Sequence, residues 1–328
     1  VLATVKRLGA PPILVLLPTI MAANIGGTAT LIGDPPNIMI GSGAGLTFLD
    51  FIEELTIPVL IMMCGLHWWG VRRLRAAMGP AADAPKQADE PGYGPRITDP
   101  GLLKWLGWIS LFVLVGFVTH GMTHMPAAVP AVIGATFALI VQDVRYVRTH
   151  QPTSEERQHG ILHVLEKEIE WPTLTFFAFL FILVGAAVST GLIATLAGGL
   201  ERAILGSREA FGLSDAGTMF LAALLVLWVA GFLSAFMDNI PFVAVSIPII
   251  ASLIGALPGD GRVLWWALSL GACLGGNGTP IGASANVVSA GLSSKSGHPV
   301  SFGEFTKYGA IFTILSLAVV SLYVAVRY

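Results

Sequence analysis

Seven stretches of the chain contain no Asp, Glu, Lys or Arg: residues 8–33, 105–142, 171–200, 216–237, 239–259, 263–294 and 308–326. A membrane-spanning helix needs about 20 mostly apolar residues, and each run approaches or exceeds that length. The pattern predicts an all-α polytopic protein, multi-pass and integral to the cell inner membrane. Residues 76–100, AAMGPAADAPKQADEPGYGPRITDP, break the pattern and read as a linker, too polar for lipid and too poor in large apolar residues to fold alone. Upstream lie a broken helix around 10–46 and a span from about 51 to 71 that ends in Arg72, Arg73 and Arg75. Downstream, residues 105–142 suffice for two spans with HGMTHMP (120–126) as the turn, and Arg145, Arg148, Arg157 and Lys167 follow. The bias of basic residues places the linker and residues 145–170 in the cytoplasm.

ILHVLEKEIEW (161–171) alternates apolar and charged residues at helical spacing, which predicts a short helix in the cytoplasmic interface with Glu166, Glu168 and Glu170 on its solvated face. Next come a span from Pro172, an amphipathic continuation to about Gly206, and two apolar arms flanking FMDNIP (236–241). Each arm is near the minimum for crossing, so a re-entrant hairpin with its polar tip inside protein competes with two full spans. The expected organisation is a first-repeat broken helix over 1–50, a span over 51–75 and a cytoplasmic linker over 76–100. Scaffold spans with the interfacial helix follow over 101–170, then a second repeat with hairpin, broken helix and last span over 171–328.

Composition agrees: 54% of residues are hydrophobic and 12% charged, with mean hydropathy +0.76, against about 25% charged in soluble domains. The net charge of −2 comes with scattered basic residues, which excludes a nucleic-acid footprint. Two cysteines, Cys64 and Cys273, build neither a disulfide framework nor a zinc cluster. No cofactor motif is present.

An internal repeat supplies the candidate chemistry. Shifting the chain by 249 residues lays GGTATLIGDPPNIM (26–39) over GGNGTPIGASANVV (275–288), with six of fourteen positions identical. The shared skeleton is Gly-Gly, Thr30/Thr279, Ile-Gly at 32–33 and 281–282, and Asn37/Asn286. TFLDF (47–51) and SFGEF (301–305) follow the two copies and lead into a last span. Glycines and prolines interrupt the i to i−4 ladder, leaving backbone groups that need partners inside the bilayer. Secondary transporters place such interruptions in corresponding positions of two halves and bind solute there. Asp34 and Asp238 are the only carboxylates in these elements, which makes them candidates for solute binding and for carrying a coupling proton. FMDNIP precedes the second Gly-Gly by about 36 residues, so its equivalent in the first copy falls before residue 1. The chain is expected to begin inside its own first repeat.

With NIGGTATLIGDPPN, FMDNIPFVAVSIPI and GACLGGNGTPIGASANVVSAG, the chain resembles the ion transporter superfamily, in the branch holding the melanosomal P protein, NhaD-type sodium/proton antiporters and ArsB-type arsenite pumps. The third motif and IEWPTLTFFAFLFILVGA look most like the P protein subgroup. The resemblance implies two inverted repeats with re-entrant hairpins and unwound helices at the midplane, a dimerising scaffold, and elevator-like movement. The family's first hairpin has no counterpart in these residues. Carried onto this sequence, the hairpin tip is Asp238-Asn239 closed by Pro241, and the unwound segments are 27–37 and 276–286. The implied ligand set is Asn24, Gly27, Thr28, Thr30, Gly33, Asp34 and Asn37 in the first copy. From the second half it adds Asp238, Asn239, Gly276, Asn277, Thr279, Ser284 and Asn286. The coupling ion is H⁺ or Na⁺, no other metal is expected, and the protein is expected to be a homodimer. MDNIP departs from the Ser-Asn-Thr tips of carboxylate carriers, and a negative Asp238 repels a polyanion. The expected substrate is therefore a small inorganic ion or oxyacid such as arsenite, or a cation exchanged for protons, with a citrate or dicarboxylate permease as the alternative.

Blander readings stand beside these. Asp34 precedes Pro35-Pro36 and suits an N-cap, whereas Asp238 has no such local explanation. Cys273 is either a core residue or a thiolate for trivalent arsenic. His67, His120 and His124 sit at span ends, where interfacial packing competes with a proton relay. Trp68, Trp69, Trp105, Trp108, Trp171, Trp265 and Trp266 read as an aromatic belt. Two other functions compete: a channel, and an intramembrane hydrolase using Asp34 and Asp238 as an acid/base pair.

Overall fold

The computed structural model describes residues 12–78, 99–150, 169–295 and 297–328, and every regular element among them is a helix. Six described helices are long and apolar enough to cross a membrane, and the chain is an integral multi-pass membrane protein. Most of the 76–100 linker and of the predicted 161–171 helix lies outside the described residues. The chain divides into two compact units, residues 87–179 and residues 1–86 with 180–328, the boundary falling within a helix over Trp171–Ser189.

In the smaller unit, α4 (Pro100–Thr123) and α5 (Ala128–His150) form an antiparallel pair. Small residues bring them together: Gly116 faces Pro130, and Gly134 faces Val113. The turn between them follows His124, which adopts a left-handed φ of 55°. At the other end Asp99 caps α4 by accepting from the Gly101 and Leu102 amides, and its two oxygens take Arg145 Nε at 3.0 Å and Nη2 at 2.6 Å. The Arg145 guanidinium, with the cap amides, holds the Asp99 carboxyl below the usual aspartate range.

The larger unit carries the interrupted helices. The first interruption separates α1 (Pro12–Thr28) from α2 (Pro35–Ala44), and α3 (Phe48–Met78) returns, with Gly70 against Pro18. α6 (Trp171–Ser189) buries no residue, and α7 (Leu192–Phe211) packs on the hairpin formed by α8 (Asp215–Phe236) and α9 (Asn239–Ala256). The second interruption separates α10 (Arg262–Gly275) from α11 (Ser284–Lys295), and α12 (Phe302–Arg327) closes the unit.

The contacts fix directions. α12 is antiparallel to α3: Tyr308 and Phe312 meet the Trp69 ring edge-on and tilted, while Tyr323 and Arg327 bind Glu54 at the other end. α10 starts beside the beginning of α3, where Arg262 reaches Asp50 at 3.3 Å and Trp266 meets Phe51 edge-on at 5.1 Å. α8 runs parallel to α10, with Leu227 and Ala230 beside Gly271, Gly231 beside Gly275 and Ala235 beside Gly278. α9 then returns to the side α8 came from, where Ile254 packs against Gly261. The α8–α9 turn therefore lies level with the second interruption. Inside a bilayer there is no hydrophobic drive between helices, so close approach through small residues supplies the packing energy. The Gly271-to-Gly275 spacing provides it, and α10 is buried from Val263 to Gly275.

Two tryptophans expected in the aromatic belt lie inside the fold. Trp265 and Trp266 are buried because they open the fully enclosed α10, whereas Trp68, Trp105, Trp108 and Trp171 are exposed.

Candidate functional site

Each interruption is built the same way. Ala29 N–H bonds Gly26 O, Gly33 N–H bonds Thr30 O and Asn37 N–H bonds Asp34 O, and the same bonds recur 249 residues later at Gly278, Gly282 and Asn286. Within each copy two glycines meet backbone to backbone. A Cβ on Gly33 would fall on Gly27 O, and one on Gly282 would lie 2.7 Å from Gly276 O. The asparagine at the start of each second segment then takes over the unwound carbonyls. Asn37 Nδ2 donates to Thr28 O and Thr30 O, both at 3.0 Å, and Asn286 Nδ2 to Gly276 O at 2.7 Å and Thr279 O at 2.9 Å. These amides replace the missing ladder bonds that a bilayer would otherwise leave unpaired.

The two copies also exchange contacts across their interface. Asn24 Nδ2 donates to Asn286 Oδ1 at 2.9 Å, and Cys273 lies 3.6 Å from Asn37 Oδ1. Asn24 and Cys273 occupy equivalent positions of the repeat, as do Asn286 and Asn37. Residue i of one copy thus meets j of the other, and the converse holds. Asn24 also donates to Asn277 Oδ1 at 3.0 Å, and Ser269 Oγ donates to Asn37 Oδ1 at 2.6 Å. Asn24, Thr28, Asn37, Asn277, Thr279 and Asn286 are all buried.

The hairpin tip supplies the acidic side of the site. Asn239 Nδ2 donates to Asp34 Oδ2 at 3.3 Å, and Ser284 Oγ donates to Asp238 Oδ2 at 2.9 Å. Asp238 Oδ1 also accepts from the Ile240 amide at 3.0 Å and caps α9. The capping role left open for Asp34 is thus not made by its side chain, while Asp238, for which no local explanation was expected, does cap. Asp34 occupies the N-cap position of α2 but makes no side-chain cap bond. Pro35 and Pro36 carry no N–H, and the Asn37 amide is taken by Asp34's own carbonyl. The Asp34 carboxylate is thereby left to face Asn239.

The tertiary structure thus brings Asn24, Thr28, Asp34, Asn37, Asp238, Asn239, Asn277, Thr279, Ser284 and Asn286 into one connected region, with Gly27, Gly33 and Gly276 as its close approaches. Thr30 enters through its carbonyl, and the Thr279 hydroxyl reaches Ala235 O in the hairpin. Sequence reasoning passed over Ser269. Its signal was present, because 269, 273 and 277 succeed one another at i+4 and share a side. Asn277 Nδ2 is a buried donor that has no partner among the described residues. No group of three His, Cys, Asp or Glu side chains among the described residues is arranged to hold a metal ion. The site therefore offers carboxylate oxygens, amides and hydroxyls, a set suited to a proton, a hard cation or a hydroxylated solute.

Comparison with known proteins fits this architecture. Residues 1–271 match the model of the citrate transporter family, CitMHS. The chain belongs to that family. An uncharacterized transporter of Mycobacterium tuberculosis is 39% identical over 315 residues, covering 95% of this chain and 67% of the relative. The 46 kDa membrane protein of Mycobacterium leprae is 37% identical over 317 residues, with the same shares. The human P protein is 29% identical over 390 residues, covering 96% of this chain and 44% of its own length. The chain is a membrane transporter of this family, and the family is one of transporters rather than enzymes.

Proposed function

We propose that the protein is a secondary active transporter of a small inorganic ion or hydroxide, of the arsenite efflux or sodium/proton exchange kind, driven by H⁺ or Na⁺. The observation that carries this reading is that neighbouring residues of the hairpin tip engage both interruptions, Asn239 binding Asp34 of the first and Asp238 accepting from Ser284 of the second. Two carboxylates at membrane depth repel a polyanion and attract a cation, a proton or hydroxyl donors. A neutral oxyacid satisfies both halves of the site: its O–H groups suit the carboxylates and its oxygens suit the open Asn277 donor. Asp238 is the proposed coupling group, with Asp34 as its partner. The opposed directions of α3 and α12 behind equivalent interruptions support two halves of inverted orientation, the arrangement used for alternating access. Movement is proposed to be elevator-like, in a homodimer.

A second reading, transport of citrate or a dicarboxylate, is favoured by the family's name. Reconstituted flux separates the two. Uphill movement of arsenite or of sodium against protons, driven by an imposed gradient, is expected to exceed citrate uptake, and rapid citrate uptake overturns the charge argument. Asp238→Asn is expected to abolish coupled flux while leaving insertion intact, because Asn caps a helix as well as Asp. Unchanged flux in that variant removes Asp238 from the mechanism.

A further inference from the structure

The larger unit carries an apolar groove between α1 and α3, about 350 Å³ in volume, lined among others by Leu14, Pro18, Met63, His67, Val71 and Leu74. It runs along α3 from Met63 to Leu74 and opens outward, with His67 exposed. Residues His67, Val71 and Arg75 follow one another at i+4, so the stripe that lines the groove ends in an arginine. Arg72, one turn before Arg75 on the same side, lies 5.1 Å over the Trp68 ring, and Arg73 lies 5.8 Å over Trp69 and 5.6 Å over Tyr308. Trp68, Arg72 and Arg75 are exposed. Among the described residues no carboxylate pairs with Arg72, Arg73 or Arg75.

An outward apolar groove on a membrane-embedded unit suits an acyl chain, and a tryptophan beside arginines suits the headgroup depth. Charge selects among the lipids. Two exposed arginines that no carboxylate among the described residues pairs, at one end of an apolar channel, complement a phosphodiester, and the bias of basic residues puts this end in the cytoplasmic leaflet. We propose that the groove binds one acyl chain of an anionic phospholipid, whose phosphate is held by Arg75 and Arg72. This site is separate from the proposed solute site and does not depend on it.

The test uses the full chain reconstituted in phosphatidylcholine vesicles doped with phosphatidylglycerol that carries a photoreactive acyl chain, with labelled peptides located by mass spectrometry. Labelling is expected on α1 and α3 around Pro18, Met63 and His67, displaced by unlabelled phosphatidylglycerol but not by phosphatidylcholine. The double variant Arg72→Gln/Arg75→Gln is expected to label roughly ten-fold less. Gly70→Leu, which extends a side chain into the groove, is expected to block labelling, with thermal melting checking that the fold survives. Equal labelling by photoreactive phosphatidylcholine, labelling unchanged in the arginine double variant, or no labelling of these two helices because protein fills the groove would each overturn the proposal.

Discussion

The two interruptions share a sequence skeleton and a hydrogen-bond skeleton, yet their surroundings differ. The second lies between α8 and α12: a Cβ on Gly275 would strike the Gly231 backbone, one on Gly278 would lie 2.8 Å from the Ala235 side chain, and Asn277 O lies against Gly309. Around the first, Gly26, the counterpart of Gly275, has nothing among the described residues within 4 Å of an added Cβ, while Ile32 and its counterpart Ile281 are both exposed. Repetition of sequence therefore copies the local bonding, while neighbouring helices decide how tightly each copy is held. The acidic character is also divided: Asp34 belongs to the first copy, its counterpart is Ala283, and the hairpin brings Asp238 to the second.

The contrast breaks most sharply at the paired glycines. Gly275→Ala is expected to cost about 3 kcal/mol, because backbone meets backbone and cannot yield, while Gly26→Ala is expected to stay within about 0.5 kcal/mol of the wild type. Melting of the purified protein in detergent checks this, and equal losses would erase the difference in packing. Next in size, Asn37→Ala and Asn286→Ala each leave two unwound carbonyls without their amide. Losses of about 2 kcal/mol are expected in both, and similar values would show that the skeleton bears equal weight in the two copies. A smaller effect distinguishes the aspartates. Asp238→Ala is expected to lose about 1 kcal/mol with its cap, whereas Asp34→Ala loses no cap bond and is expected to alter flux more than melting temperature.

The smallest effect lies outside both copies, in the α4–α5 pair. The folded-state pKa of Asp99 is lowered, so its contribution is present above the ordinary aspartate value of about 4 and fades as pH falls through the lower folded value. The melting difference between wild type and Asp99→Asn is expected to persist at neutral pH and to shrink as the medium is acidified below that value. A difference that grows on acidification would contradict the Arg145 pairing as its cause.

Much of this was legible in the chain. Charge-free runs set the membrane class, since a bilayer tolerates few ionised groups, and breakers at a fixed offset located both interruptions and their asparagines. Capping stood as one alternative for Asp34 because Asp before Pro-Pro fits a general pattern, but the two missing N–H groups leave that carboxylate without a backbone cap donor, and Asn239 binds it instead. Trp265 and Trp266 were misplaced because an amphipathic interface and the start of a buried helix look alike along one chain.

The sequence by itself determined that the chain is a bundle of apolar helices broken twice in the same manner, because period, charge and glycine placement are local properties. Only the tertiary structure decided that Asn24 meets Asn277 and Asn286 more than 250 residues away, that Ser269 secures Asn37, and that the hairpin carries Asp238 and Asn239 to the breaks. Those partners follow from which helices approach closely and in which direction, and that depends on small residues fitting against one another across the whole unit.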